Sequence, residues 1–234
     1  MNVLFIPLNK KETRWGVMLA ALYFCGSIAL ETARSQATHS LFLLAIFAAV
    51  CILGRRFWKE SIFCIRLTGI QMIWKPLLGA LACRALCFLV HDLFMMLGFR
   101  YFVSTDWGPM LWNIRVALLE KQLPENLWFI APCVVVLIPI LDEFFFRGVI
   151  LGTIYPKNTV LAVVLSVVLF TALNVLPYVN SAIGMLGSDA ALYLCLYAFQ
   201  FIPMGLALAW LYISTDSIFA PIFMHIIMNY GLIF

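Results

Sequence analysis

The stretch LDEFFFRG, Leu141 to Gly148, places two carboxylates and a guanidinium within six residues, between the apolar runs LWFIAPCVVVLIPI and VILGTIY. A charge at mid-bilayer costs about 2.5–3.5 kcal/mol on insertion scales, so three together must pair or line a wet cavity. Glu143 and Arg147 are four residues apart, so on a helix they meet and can neutralise each other. Asp142 sits about 100° round the helix from Glu143. An ion pair that only fixes helix packing therefore accounts for Glu143 and Arg147 and leaves Asp142 to face something else. Two later stretches supply polar partners. FTALN sets Asn174 four residues after Phe170, and HIIMN sets Asn229 four residues after His225. One His or Asn in an apolar helix more often makes an interhelical hydrogen bond than a catalyst. Asp142, Glu143, Asn174, His225 and Asn229 together make a hydrolytic site plausible. A carboxylate takes a proton from water, and imidazole and amide N–H groups hold an oxyanion.

The elements that must position these residues are membrane helices. The chain is 65% hydrophobic and 11% charged, against about 25% charged in soluble domains. Its 234 residues suit one polytopic unit. A spanning helix needs about 20 mostly apolar residues. Seven candidates run near Trp15–Leu30, Ser40–Leu53, Lys75–Phe99, Leu127–Ile154, Thr159–Leu176, Ala190–Ile213 and Ser217–Phe234. The second is short. The third carries Arg84, His91 and Asp92, so one side of it faces protein or water.

Lys10, Lys11 and Arg14 precede the first span, and Arg55, Arg56, Lys59 and Arg66 follow the second. The first loop holds only Arg34, so the distribution favours a cytoplasmic N-terminus. DWGPMLWNIRVALLEKQLPENLW has Asp106 and Pro109 as start signals, Pro124 as a stop, and Trp107, Trp112 and Trp128 at headgroup level. It reads as an interfacial helix, and RFWKESIFCIRL reads the same way more weakly. The first 14 residues run into a long apolar stretch with no small-residue cleavage site, so the first helix is expected to stay as an anchor. The seven Cys are scattered without a CxxC pair and read as small buried hydrophobes.

DEFFFRG, FTALN and TDSIFAPIFMHIIMN resemble the three motifs of the CPBP family, the CAAX-protease and bacteriocin-processing membrane proteins. That family's pattern is Glu-Glu-x-x-x-Arg, then Phe-x-x-x-His, then His-x-x-x-Asn or Asp. The resemblance covers residues 127–234 and implies an all-α polytopic membrane protein, a CAAX-protease-like helical bundle. It further implies that Asp142 is the base that activates water. Glu143 and Arg147 are the supporting pair, and His225 and Asn229 are the oxyanion donors. Two positions depart from the pattern. Asp142 stands for the first Glu and Asn174 for the second-motif His. Asp is shorter by one C–C bond, about 1.5 Å, and a misplacement near 1 Å can cost on the order of 100-fold in rate. Asn174 can orient a water but cannot take its proton. Both water-activating positions are altered, and both oxyanion positions are kept.

The chain thus divides into N-terminal membrane helices with interfacial segments, 1–126, and a CPBP-like core, 127–234. The expected function is an intramembrane endopeptidase, glutamic-type but built on aspartate, that cuts a membrane-associated protein or peptide without a covalent intermediate. The alternative is a catalytically impaired relative acting in binding, immunity or regulation. A transporter is disfavoured because the charges cluster instead of tracing a path. No cofactor, metal or nucleic acid is expected: HExxH is absent, and one His with carboxylates is too few for zinc. GxSxG and a Ser–Lys dyad are absent too. His91 is a spare imidazole beside Asp92, read as part of a polar stripe that packs or faces water. His39 is given no role. The expected location is a bacterial inner membrane.

Overall fold

The computed structural model describes residues 8–33, 36–94, 133–182 and 187–233. Among them every element is helical. α1 is Lys10–Ala33, α2 Gln36–Leu53, α3 Arg55–Thr68 and α4 Gln71–Phe94. Residues 133–154 form one continuous helix, α5, of mixed winding. The π-helical stretches Cys133–Leu137 and Phe144–Leu151 enclose the α-helical Ile138–Glu143, and Gly152–Ile154 closes the helix. α6 is Thr159–Ala182, α7 Gly187–Thr215 and α8 Phe219–Ile233. Apolar runs of this kind wind into helices because a backbone in hydrocarbon must satisfy its own N–H and C=O groups.

A helix lies at each of the seven expected positions. Length and apolarity qualify Thr159–Leu176 as a span by itself. Ser40–Leu53 and Arg55–Ile65 qualify only as a pair, bent by 77°. Phe201–Thr215 and Phe219–Asn229 are apolar but shorter. The interfacial helix expected around Asp106–Trp128 lies outside the described residues.

The 77° elbow turns on Gly54. A Cβ there would meet the Val50 carbonyl oxygen at 2.8 Å and the Phe144 ring at 3.1 Å. Glycine thus lets α3 fold back onto α5. The start of α1 is tied to the same corner. Asn9 Oδ1 accepts from the N–H groups of Lys11 (3.0 Å) and Glu12 (2.8 Å), while Glu12 Oε2 accepts from Asn9 N–H (2.9 Å). This reciprocal capping box satisfies donors left over at the helix start. Arg56 of α3 then donates to both Glu12 oxygens, at 3.3 and 2.8 Å, and to Glu60 at 2.9 Å.

α6 and α7 lie along each other, and α4 packs against α7 and α8. Lys75 of α4 donates to Ser214 O near the end of α7 (3.1 Å), a cation at the negative end of a helix dipole. Two buried apolar clusters result. One gathers Tyr23, Phe57, Phe144, Phe145 and Ile218, the other Phe146, Phe170, Leu208, Leu211 and Met224. The three consecutive phenylalanines of α5 fan out to different partners. Phe144 meets Phe57 and Trp58 of α3, Phe145 stacks on Tyr23 of α1, and Phe146 meets Phe24 of α1 and Phe170 of α6. The charged residues of α5 therefore lie where the two clusters join, and helices from both halves of the chain surround them.

Candidate active site

The LDEFFFRG stretch straddles a change of winding. Asp142 and Glu143 close the α-helical part of α5, and Arg147 lies in the π-helical part. π-helical turns re-aim side chains and are frequent at functional sites. Here the wider turn still brings Glu143 and Arg147 together. Arg147 Nη1 donates to Glu143 Oε1 at 3.2 Å, and Nε lies 3.2 Å from Oε2, off the line of a hydrogen bond. Relative exposure is 1% for Asp142, 0% for Glu143 and Arg147, and 2% for His225. The expected pairing on one helix face is present, but fully walled off.

Arg147 has two further supports. Its Nη2 donates to Gly205 O of α7 at 3.1 Å. Its guanidinium carbon lies 4.6 Å from the centre of the Phe170 ring, a cation–π contact. Gly205 permits this approach, since a Cβ there would press on Phe170 and Val167 at 3.2 Å. Ser166 of α6 donates to Phe146 O at 2.9 Å, which ties α6 to α5 beside the site.

His225 arrives from α8. Its Nδ1 lies 2.9 Å from Glu143 Oε1, and its ring meets Phe170 edge-on at 5.6 Å. The chemistry assigns the tautomer. Arg147 is a permanent cation, so its partner Glu143 is a carboxylate, and a carboxylate only accepts hydrogen bonds. His225 Nδ1 therefore carries the proton, inferred from the network as at any ordinary His. Nε2 is left as the working nitrogen, an acceptor on a neutral ring and a donor on a cationic one.

Asp142 does find its own partner. Tyr23 of α1, 119 positions earlier, donates its hydroxyl to Asp142 Oδ1 at 2.8 Å, and both groups are buried. Sequence reasoning missed Tyr23, because one phenol in an apolar helix has no spacing partner to flag it. Gly205 was missed for the same reason, since it contributes only a backbone carbonyl.

The structure thus brings Asp142, Glu143, Arg147 and His225 into one cluster. Asn174 is less committed to it. Its Nδ2 donates to Phe170 O of its own helix at 2.9 Å, and among the described residues no hydrogen bond joins it to either carboxylate. Asn229 lies one turn after His225 on α8 and is half-buried. The side chains of His91, Asp92 and His39 lie outside the described residues, and Arg84 is exposed. Among the described residues no group of three or more His, Cys, Asp or Glu side chains is arranged to hold a metal ion.

Residues 124–231 match the family model described as Rce1-like, type II CAAX prenyl endopeptidase Rce1-like. No curated protein and no solved structure matches the chain. The matched segment holds all three motifs and every member of the buried cluster except Tyr23. Over residues 124–231 the chain is therefore similar to the CAAX-protease family that its motifs resemble, a family of integral membrane proteins.

Proposed function

We propose that this protein is an intramembrane endopeptidase that hydrolyses a peptide bond in a membrane-associated protein or peptide. The observation that carries the proposal is the buried cluster itself. Burying several ionised groups is expensive, and a packing role alone is better served by apolar side chains. The cluster is also incompletely satisfied. Glu143 Oε2 and Arg147 Nε face each other at 3.2 Å as an ion pair, and among the described residues neither has a hydrogen-bond partner. Such groups call for an explanation, and perturbed sites of this kind concentrate where catalysis occurs.

In the proposed reaction Asp142, held by the Tyr23 hydroxyl, accepts a proton from water. The water oxygen attacks the peptide carbonyl carbon. Nε2–H of a cationic His225 and the Asn229 amide hold the oxyanion, with Glu143 and Arg147 fixing the imidazole. Asp142 returns the proton to the nitrogen as the C–N bond breaks. The family description makes a prenylated CAAX-type C-terminal peptide the first substrate class to try. The chain would cross a bacterial inner membrane seven times with its N-terminus in the cytoplasm, and residues 127–234 would form the catalytic core.

A second reading, a catalytically impaired relative that binds a membrane peptide, is favoured by Asn174. Its amide is bonded to its own helix, and it cannot accept a proton. One assay separates the two readings. Purified protein in liposomes is given a membrane-embedded peptide, and wild type is compared with Asp142→Asn, His225→Ala and the double variant Asp142→Glu/Asn174→His. Hydrolysis requires that Asp142→Asn abolish cleavage. His225→Ala should lower it about 100- to 1,000-fold. The double variant should raise it, because it supplies reach and a proton acceptor. Wild-type cleavage by Asp142→Asn would refute the mechanism. No cleavage by either wild type or the double variant would support the binding reading.

A further inference from the structure

The corner where α1 meets the α2–α3 elbow sorts its charges unevenly. Arg56 takes the carboxylates of Glu12 and Glu60. Lys11, Arg55 and Lys59 are left with no ion-pair partner among the described residues. All three line a cavity of about 660 Å³, which is walled on its apolar side by Trp15, Ile52 and Leu53. Trp15 and Ile52 are 42% and 73% exposed, so the apolar wall is open to the surroundings.

The elbow also sets the depth of this cavity. α3 leaves α2 at 77°. It turns Ile62 and Phe63 outward on the same face as Arg55 and Lys59, while Phe57, Ser61 and Cys64 are buried against the protein. A short helix whose outer face mixes apolar and basic side chains suits the headgroup layer, where the charged ends snorkel to water. A cavity at that level with three unneutralised cations above an aromatic and aliphatic wall matches an amphiphile with an anionic head. A free anion would use only the cations. We propose that the cavity binds the phosphodiester headgroup of an anionic membrane lipid. Lys11, Arg55 and Lys59 contact the phosphate, and Trp15, Ile52 and Leu53 pack on the glycerol and upper acyl chain. Charge-assisted contacts from Lys and Arg suit phosphate oxygens, and anionic leaflets attract basic segments beside membrane helices.

The test uses the purified full chain in neutral detergent, with thermal unfolding followed as lipid is added. Phosphatidylglycerol should raise the unfolding temperature with its concentration, as a ligand of the folded state does. Phosphatidylcholine and inorganic phosphate should not. The variant Lys11→Ala/Arg55→Ala/Lys59→Ala should weaken the phosphatidylglycerol response on the order of 100-fold in concentration, and Lys59→Gln alone about fivefold. The single variant serves if the triple variant does not fold. Equal shifts with phosphatidylcholine, or a full response in the variants, would overturn the site. An equal shift with inorganic phosphate would overturn its assignment to a lipid.

Discussion

Two Arg–Glu pairs in this chain share their chemistry and differ in their surroundings. Arg56 grips Glu12 through two hydrogen bonds, the shorter 2.8 Å, with side chains 43% and 10% exposed. Arg147 holds Glu143 at 3.2 Å, one contact out of hydrogen-bond line, with both side chains fully buried. The exposed pair has the shorter contact although both members are shared, Arg56 with Glu60 and Glu12 with Asn9 N–H. The buried pair is shared as well. Arg147 also serves Gly205 O and faces Phe170, and Glu143 also accepts His225. Short distance therefore does not rank the two pairs. What ranks them is the state left behind when one partner goes. Water solvates an abandoned carboxylate at the surface, and nothing does so in the interior.

The sharpest way to break that comparison is Arg147→Met, which keeps bulk and strands Glu143. We expect a loss of about 3–5 kcal/mol, read as lower folded yield and a lower unfolding temperature in detergent. Glu143→Gln/Arg147→Met should recover part of it. A single variant as stable as wild type would show that the buried pair does not hold the helices. The next effect is that of Tyr23→Phe, which removes the hydroxyl and leaves the ring stacked on Phe145. A hydrogen bond to a charged group is worth about 1.5–3 kcal/mol. A double-mutant cycle with Asp142→Ala isolates the pair, and a coupling energy near zero would remove Tyr23 from the site.

The smallest effect belongs to the exposed pair. Burial pushes the Glu12 carboxyl up, but the hydrogen bonds from Arg56 and Asn9 N–H and the Arg56 charge outweigh it, so Glu12 titrates below its usual 4.5. A depressed carboxyl adds stability at neutral pH that is lost as pH falls through its folded-state value, below about 4.5. Exposed pairs contribute about 0–1 kcal/mol. The stability difference between wild type and Arg56→Ala should accordingly be small at pH 7, shrink in high salt, and vanish under acid. A difference that persists at pH 3 would assign the effect to packing of the Arg56 stem.

Much of this molecule was legible in its residues. Apolar runs placed helices at Trp15–Leu30, Thr159–Leu176 and the other expected stretches. The four-residue spacing of Glu143 and Arg147 announced their pairing. The oddness of Asp142 was legible as a question, and its answer was not. Tyr23 looks like any aromatic in an apolar helix. The π-helical stretches around Ile138–Glu143 were also hidden. Asn174 reads as able to orient a water, and the structure adds that its Nδ2 donates to Phe170 O of its own helix. A short polar side chain in an apolar helix bonds its own backbone when no partner is within reach.

Composition and spacing by themselves determined the helical class, the stretches that are apolar, and which few side chains cannot sit in hydrocarbon unaccompanied. Those are local properties, set by transfer energies and by the helical repeat. Only the tertiary structure decided which companions those side chains have: Tyr23 for Asp142, His225 for Glu143, and Gly205 O with the Phe170 ring for Arg147. A helix that is apolar all round carries no periodic mark of the face it will turn inward. That face is chosen by how glycines such as Gly54, Gly148 and Gly205 let neighbouring helices approach, and by the cost of leaving a buried charge without a partner.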